Sequence, residues 1–235
     1  MKVLRIEQIV PSEHGLFTVC DIHLIHILVD DLDNTAKSLI EIIKNTSWIS
    51  ELFAINQESY NARAEKTIKK LVEEIFSQVD SSLSEGFGEY MVSLKAQDVL
   101  EQELLHSRIP LAELFKEKVI GNPGFDFHME THKSLIAFGE AKYSGSSTPY
   151  KKALTQIHNF IVLKKDTMEL SDLQHFASSS AATSATNGSR AYIAAFSLNG
   201  KRYDQIFKNL LSCNEINAIL NNAELYLIGV TVKSD

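Results

Sequence analysis

Apolar positions recur along this chain with two periods, and the change from one to the other marks its elements. Residues 2–10 and 16–29 carry apolar runs broken by Pro11, Glu13, His14 and Gly15, and read as strands. Residues 33–45 and 61–82 read as helices, and in the second Ile68, Leu71, Ile75 and Val79 recur at three and four residues to mark a buried face. Gly86 and Gly88 punctuate the chain before a third helix over residues 89–105, where Tyr90, Met91, Leu94 and Leu105 supply apolar contacts. Three strands follow, over 109–115, 125–130 and 135–143, with residues 129–133 as a hairpin turn between the last two. Thr148, as N-cap, and Pro149, at the first position, start a helix that runs to 163 and buries Ala153, Leu154, Ile157, Phe160 and Ile161. A short helix is predicted over 171–176. Residues 178–189, rich in Ser, Ala and Thr and ending Asn-Gly-Ser, read as a mobile loop. A helix over 203–211 and a terminal strand over 224–232 complete the pattern, without internal repeats.

Composition narrows the class. With 235 residues, 44% hydrophobic, the chain suits one large domain, or a core of 84–235 with an N-terminal extension over 1–83 that could bind a partner. Mean hydropathy is -0.07 and no apolar run approaches the roughly 18 residues of a spanning helix, so no membrane role is expected. Residues 1–10 lack the long apolar stretch of a signal peptide, which leads to the expectation of a cytoplasmic protein. Cys20 and Cys213 are too few and too distant for a disulfide scaffold or a zinc site. There is no Walker A loop, no Gly-x-Ser-x-Gly elbow and no dinucleotide fingerprint.

The net charge of -7 is unevenly spread. Residues 1–105 carry -9, residues 106–165 carry +4 and residues 166–235 carry -2. The basic excess therefore surrounds the segment with the most distinctive polar residues, where phosphate contacts would be needed.

That segment reads Gly124-Phe-Asp-Phe127 and then Phe138-Gly-Glu-Ala-Lys-Tyr-Ser144. Side chains alternate along a strand, so Glu140 and Lys142 share a face, while Asp126 is expected to face away from both Phe125 and Phe127. A hairpin would bring Asp126 beside Glu140 and offer two carboxylates to a hard divalent cation, with an ammonium alongside. Phosphodiester hydrolysis uses that trio: a cation to bind the phosphate and activate water, and a cationic donor for the charge that develops. Ordinary cross-strand ion pairs use the same residue types, but here the charges are embedded in strongly apolar strands, where unpaired charge is costly. His128 shares the predicted face of Asp126; with His132 it flanks the turn, and His23 and His26 lie near Asp21, without a familiar zinc spacing.

Asp126 followed by Glu140-x-Lys142, within a helix, three strands, helix, strand order, resembles the PD-(D/E)xK nuclease superfamily. The resemblance implies an α/β (α+β) fold, with a restriction-endonuclease-like core whose mixed central sheet is flanked by helices. It also implies Mg²⁺, with Mn²⁺ as a substitute. In that superfamily the first core helix adds a carboxylate, and Glu89 fits. Glu113 is the competing candidate, although Pro110 and alternation put it on a strand. The superfamily's Gln-x-x-x-Tyr motif corresponds to Gln156-Ile-His-Asn-Phe160, with Phe in place of Tyr, so Gln156 is a possible DNA contact. Lys151 and Lys152, with Lys164 and Lys165, are further candidates for phosphate. Gly88-Glu89, Ile109-Pro-Leu111, Lys116, Gly124-Phe-Asp126 and Gly139-Glu-Ala-Lys142 together resemble HamA, the nuclease subunits of the Hachiman anti-phage system. That likeness spans residues 87–144. It implies a DNA-cutting defence effector beside a helicase partner, with Glu89, Asp126, Glu140 and Lys142 catalytic, the three acids holding the metal, and the acidic segment 1–83 a partner surface. The alternative function is a catalytically inactive nuclease-fold module that binds nucleic acid or another subunit.

Overall fold

Ala191–Ser197 and Glu224–Val232 carry too little polar alternation to face water on either side, and both lie inside one sheet. The computed structural model describes residues 1–76, 85–115 and 124–233. Among these the strands are β1 (Lys2–Ile9), β2 (Asp21–Val29), β3 (Ser107–Arg108), β4 (Phe127–Glu130), β5 (Ile136–Lys142), β6 (Ala191–Ser197) and β7 (Glu224–Val232). The helices are α1 (Leu32–Lys44), α2 (Ala54–Phe76), α3 (Glu85–Leu104), α4 (Ala112–Phe115), α5 (Tyr150–Val162), α6 (Lys165–Met168), α7 (Leu170–Leu173), α8 (Ser179–Thr186), α9 (Tyr203–Leu211) and α10 (Asn214–Asn217). The strands form a single mixed sheet in the order β1-β2-β7-β6-β5-β4-β3. Strands β5, β6, β7 and β2 run parallel, while β1 and the pair β4 and β3 are antiparallel to their neighbours. The architecture is mixed α/β. Segment 1–83 contributes β1 and β2 to this same sheet.

Alternation divides the core between two faces. Ile22, Leu24, Phe138, Tyr192, Phe196 and Leu227 point to one, covered by α5, α8 and α9. Ile25, Ile27, Ala137, Ile193 and Ile228 point to the other, beneath α1 and α3. Burial at roughly 25 cal/mol per Å² of apolar surface makes these layers the main source of stability.

Several predicted elements are corrected. The strand over 16–29 begins at Asp21, where β7 first offers a parallel partner, and Phe17 and Val19 are exposed. The second helix starts at Ala54; its predicted end at Ser82 lies outside the described residues. Gly86 and Gly88 do not precede the third helix but lie inside α3. The strand over 109–115 is replaced by the two-residue β3 and by α4, so Glu113 is helical. Pro110 has no N–H to donate to a ladder, and the Gln97 side chain instead bonds the carbonyls of Ile109 at 2.8 Å and His128 at 3.1 Å. Thr148 caps nothing: its hydroxyl donates to the Asn199 carbonyl at 3.1 Å, and Pro149 occupies the cap position of α5.

Residues 178–189 form α8 instead of a loop. The Ser178 hydroxyl accepts the Ala181 N–H at 3.2 Å, and Ala181 and Ala185, one helical turn apart, enter the core. Strand β6 has no counterpart in the sequence reading. It stands beside β5, so the strand that follows α5 in the sheet is β6 and not the terminal strand β7.

Candidate functional site

The carboxyl end of β5 is where the predicted residues meet, and a glycine sets how closely α3 approaches it. A Cβ on Gly88 would lie 2.1 Å from Cγ of Tyr143, so only glycine lets the helix rest on that ring. Glu89, the next residue, is thereby held beside the end of the strand, and its carboxylate lies 3.4 Å from the Lys142 ammonium.

Asp126 stands just before β4. Its N–H donates to the Gly139 carbonyl at 2.9 Å, and its Oδ2 accepts the Ala141 N–H at 2.9 Å. The carboxylate thus replaces a backbone acceptor and is aimed along β5. This geometry corrects the predicted alternation: Phe125 packs on the face of Phe138 and Phe127 on the opposite one. The regular strand begins only after Asp126, so the period of two cannot be extended back through it.

Glu140 is fully buried. Its Oε1 accepts from the Lys142 ammonium at 2.6 Å, while its Oε2 is buried without a hydrogen-bond partner among the described residues. Burial, reinforced by the neighbouring Asp126 charge, pushes the Glu140 carboxyl well above its ordinary range, against the opposing pull of Lys142. For Lys142 burial acts downward, but Glu140, Asp126 and Glu89 outweigh it and hold the ammonium above its usual value. Lys142 therefore stays charged through the neutral range and bridges two acids.

The donor chemistry suits a hard cation. Mg²⁺ is commonly held by one or two carboxylates plus substrate phosphate and water, and the bare buried Oε2 of Glu140 is a ligand in need of a partner. Among the described residues, no group of three or more His, Cys, Asp or Glu side chains is gathered closely enough to hold a metal. Lys142 instead spans Glu140 and Glu89. A two-carboxylate arrangement of Asp126 and Glu140 is what these positions fit.

The remaining candidates are dispersed. Glu113 on α4 lies 3.5 Å from the Tyr90 hydroxyl of α3. Gln156 is half-buried on α5, and Phe160 is core, its ring 5.0 Å from that of Phe125. Lys151 pairs with Glu215 of α10 at 3.4 Å, and Lys152 is exposed. Lys116 lies outside the described residues.

His128 lies on β4, within the hairpin and opposite Phe138. It is fully buried, with its Nε2 2.7 Å from Glu169 Oε2, and the other oxygen of Glu169 accepts the Phe125 N–H at 3.0 Å. Glu169 was not anticipated, and it anchors the backbone on both sides of Asp126. No local signal marks it, because its partners are more than forty residues away (44 and 41). His23, His106 and His132 gather around Tyr226 at the opposite end of the parallel strands. Cys20 and Cys213 are buried free thiols.

No helix of the described residues is long and apolar enough to cross a membrane. In comparison with known proteins, no family model matches the chain, no curated protein matches it, and no solved structure matches its fold.

Proposed function

We propose that this chain is a metal-dependent nuclease that hydrolyses DNA phosphodiester bonds on a restriction-endonuclease-like core. The observation that carries this reading is the meeting of Asp126, just before β4, with Glu140 and Lys142 of β5 and Glu89 of α3 at one end of the sheet. Asp126 and Glu140 would hold Mg²⁺ or Mn²⁺, while Glu89 pairs with Lys142 beside them. A bound divalent cation supplies neutralisation of the scissile phosphate and a lower pKa for the attacking water.

The protein's own groups do the positioning. The Ala141 N–H fixes Asp126, and the His128–Glu169 pair fixes the strand on either side of it. Lys142 offers N–H donors to a phosphate oxygen as negative charge builds there. In hydrolysis a water oxygen bonds to phosphorus, the bond to the leaving oxygen breaks, and that oxygen takes up a proton. The resemblance of residues 87–144 to HamA supports an anti-phage effector that works in the cytoplasm with a helicase subunit. The second reading, an inactive module that binds nucleic acid or another subunit, is favoured by the Lys142 bridge between Glu140 and Glu89, which can serve as a purely structural ion pair.

Cleavage of plasmid and linear DNA with Mg²⁺ or Mn²⁺, run beside Lys142→Ala and beside chelator, separates the two. Cutting that disappears in both controls supports the nuclease. Cutting that survives Lys142→Ala excludes this site. DNA binding without any cutting selects the inactive module.

A further inference from the structure

A second charged cleft lies on the face and at the end of the sheet that carry Glu140 and Lys142. Cross-strand registers connect them in one row: Lys142 pairs with Phe196, Phe196 with Gly229, Gly229 with His26, and His26 with Arg5. Directly paired residues point to the same face, and four strand spacings put Arg5 ~19 Å from Lys142. Beside Arg5, the segment that leads into α9 closes a cavity of about 590 Å³.

Its lining combines cations with aromatic rings. Lys201 and Arg202 are exposed and form no ion pair among the described residues, whereas Arg5 is engaged by Glu7 at 2.7 Å and Asp204 at 3.1 Å. Among the described residues Asp204 is the only acid in the lining, so the cleft is cationic on a chain of net charge -7. The floor is apolar: Tyr203 lies 4.5 Å from the His26 ring, and Phe207 is buried beneath. No side chain caps the start of α9, whose first residues line the cleft.

We infer that this cleft binds the phosphate backbone of the DNA substrate several nucleotides from the scissile bond. The inference rests on the nuclease reading above and deepens it. With one phosphate per 3.4 Å of axis on each strand, ~19 Å corresponds to five or six nucleotides. The cleft thus supplies a second hold that sets the path of the strand across the row from β1 to β5.

The test is the affinity of the whole chain for labelled duplex DNA across a salt series, with Ca²⁺ in place of Mg²⁺ to suppress cutting. Lys201→Ala/Arg202→Ala is compared with Lys37→Ala/Lys44→Ala, which removes equal charge from α1 on the other face. The expected result is a loss of roughly tenfold for the cleft variant, with the salt slope smaller by about one to two, and no comparable change for the α1 variant. Equal losses in the two variants, or none, overturn the site while wild-type cleavage keeps the nuclease reading. A loss of inorganic phosphate binding with DNA affinity unchanged assigns the cleft to a small anion and also overturns it. Wild-type protein that neither binds nor cuts DNA removes both readings.

Discussion

Asp126 Oδ2 accepts the backbone N–H of Ala141 at 2.9 Å, so a candidate metal ligand is also a piece of sheet structure. Asp126→Asn keeps an oxygen acceptor for that N–H but loses the charge. The expected outcome is a fall in DNA cleavage of at least ~10–100-fold, the scale seen when support of a metal site is removed, with little change in melting temperature. Asp126→Ala should lose both activity and stability. Cleavage rates paired with thermal melts distinguish the two variants.

Glu140 carries the clearest conflict between stability and function. Its carboxyl is raised by burial, so the folded state binds a proton more readily than the unfolded chain. Such a group stabilises the fold below the ordinary carboxylate pKa, and the contribution is lost as pH rises toward the folded-state value. Glu140→Gln should therefore raise the melting temperature at pH 7–8 by a few degrees, equivalent to ~1 kcal/mol, while abolishing cleavage. The gain should vanish below pH ~4.5. Calorimetry over that range measures it, and a variant less stable at pH 8 would contradict the assigned burial cost.

Lys142→Ala leaves Glu140 without its cation. The expected loss of cleavage is ~10²–10³-fold, as for removal of a preorganised donor to a developing charge. The fold should survive because Glu140 can protonate, which makes the stability of the variant fall more steeply with rising pH than that of the wild type. Urea titrations at two pH values test this.

Gly88 and Gly86 should respond in opposite directions to alanine. A Cβ at Gly88 meets the Tyr143 ring at 2.1 Å, whereas at Gly86 nothing among the described residues lies within 4 Å. Gly88→Ala is expected to cost ~1–3 kcal/mol through overpacking and to move Glu89 away from Lys142, lowering cleavage. Gly86→Ala should be neutral or stabilise by up to ~1 kcal/mol through helix propensity. Urea midpoints for both variants give the comparison.

The histidine cluster around Tyr226 predicts acid sensitivity remote from the site. Burial lowers His106 from 6.5 to about 4, against smaller upward pulls from the Leu104 carbonyl and Glu224, with His132 and His23 adding to the decrease. The unfolded chain then binds more protons, so this contribution is complete above pH 6.5 and lost as pH falls toward 4. Unfolding free energies at pH 7, 6 and 5 should decline, and His106→Leu should flatten the decline even though it removes a bond to the Leu104 carbonyl.

Legibility in the sequence followed the range of the interaction concerned. Strand β5 and the shared face of Glu140 and Lys142 were readable because alternation is a property of the covalent backbone. Helices α1 and α9 and strand β7 were readable from their own periods and breakers. Strand β6 was not. Its Ala-rich run is buried on both faces and has no period to detect, and its neighbours β5 and β7 are distant in the chain. Helix α8 was obscured by a Ser and Thr composition that favours loops until Ala181 and Ala185 find the core.

By itself, then, the chain determined where most elements lie, that Glu140 and Lys142 share one face of β5, and that a hairpin joins this strand to the segment after Asp126. Only the tertiary structure decided that Glu140 is fully buried, that Gly88 admits Tyr143, that Glu169 braces Asp126, and that Arg5 stands in one row with Lys142. The physical reason is that burial and strand order depend on contacts closed across long stretches of chain, whereas side-chain direction depends on the residue next door.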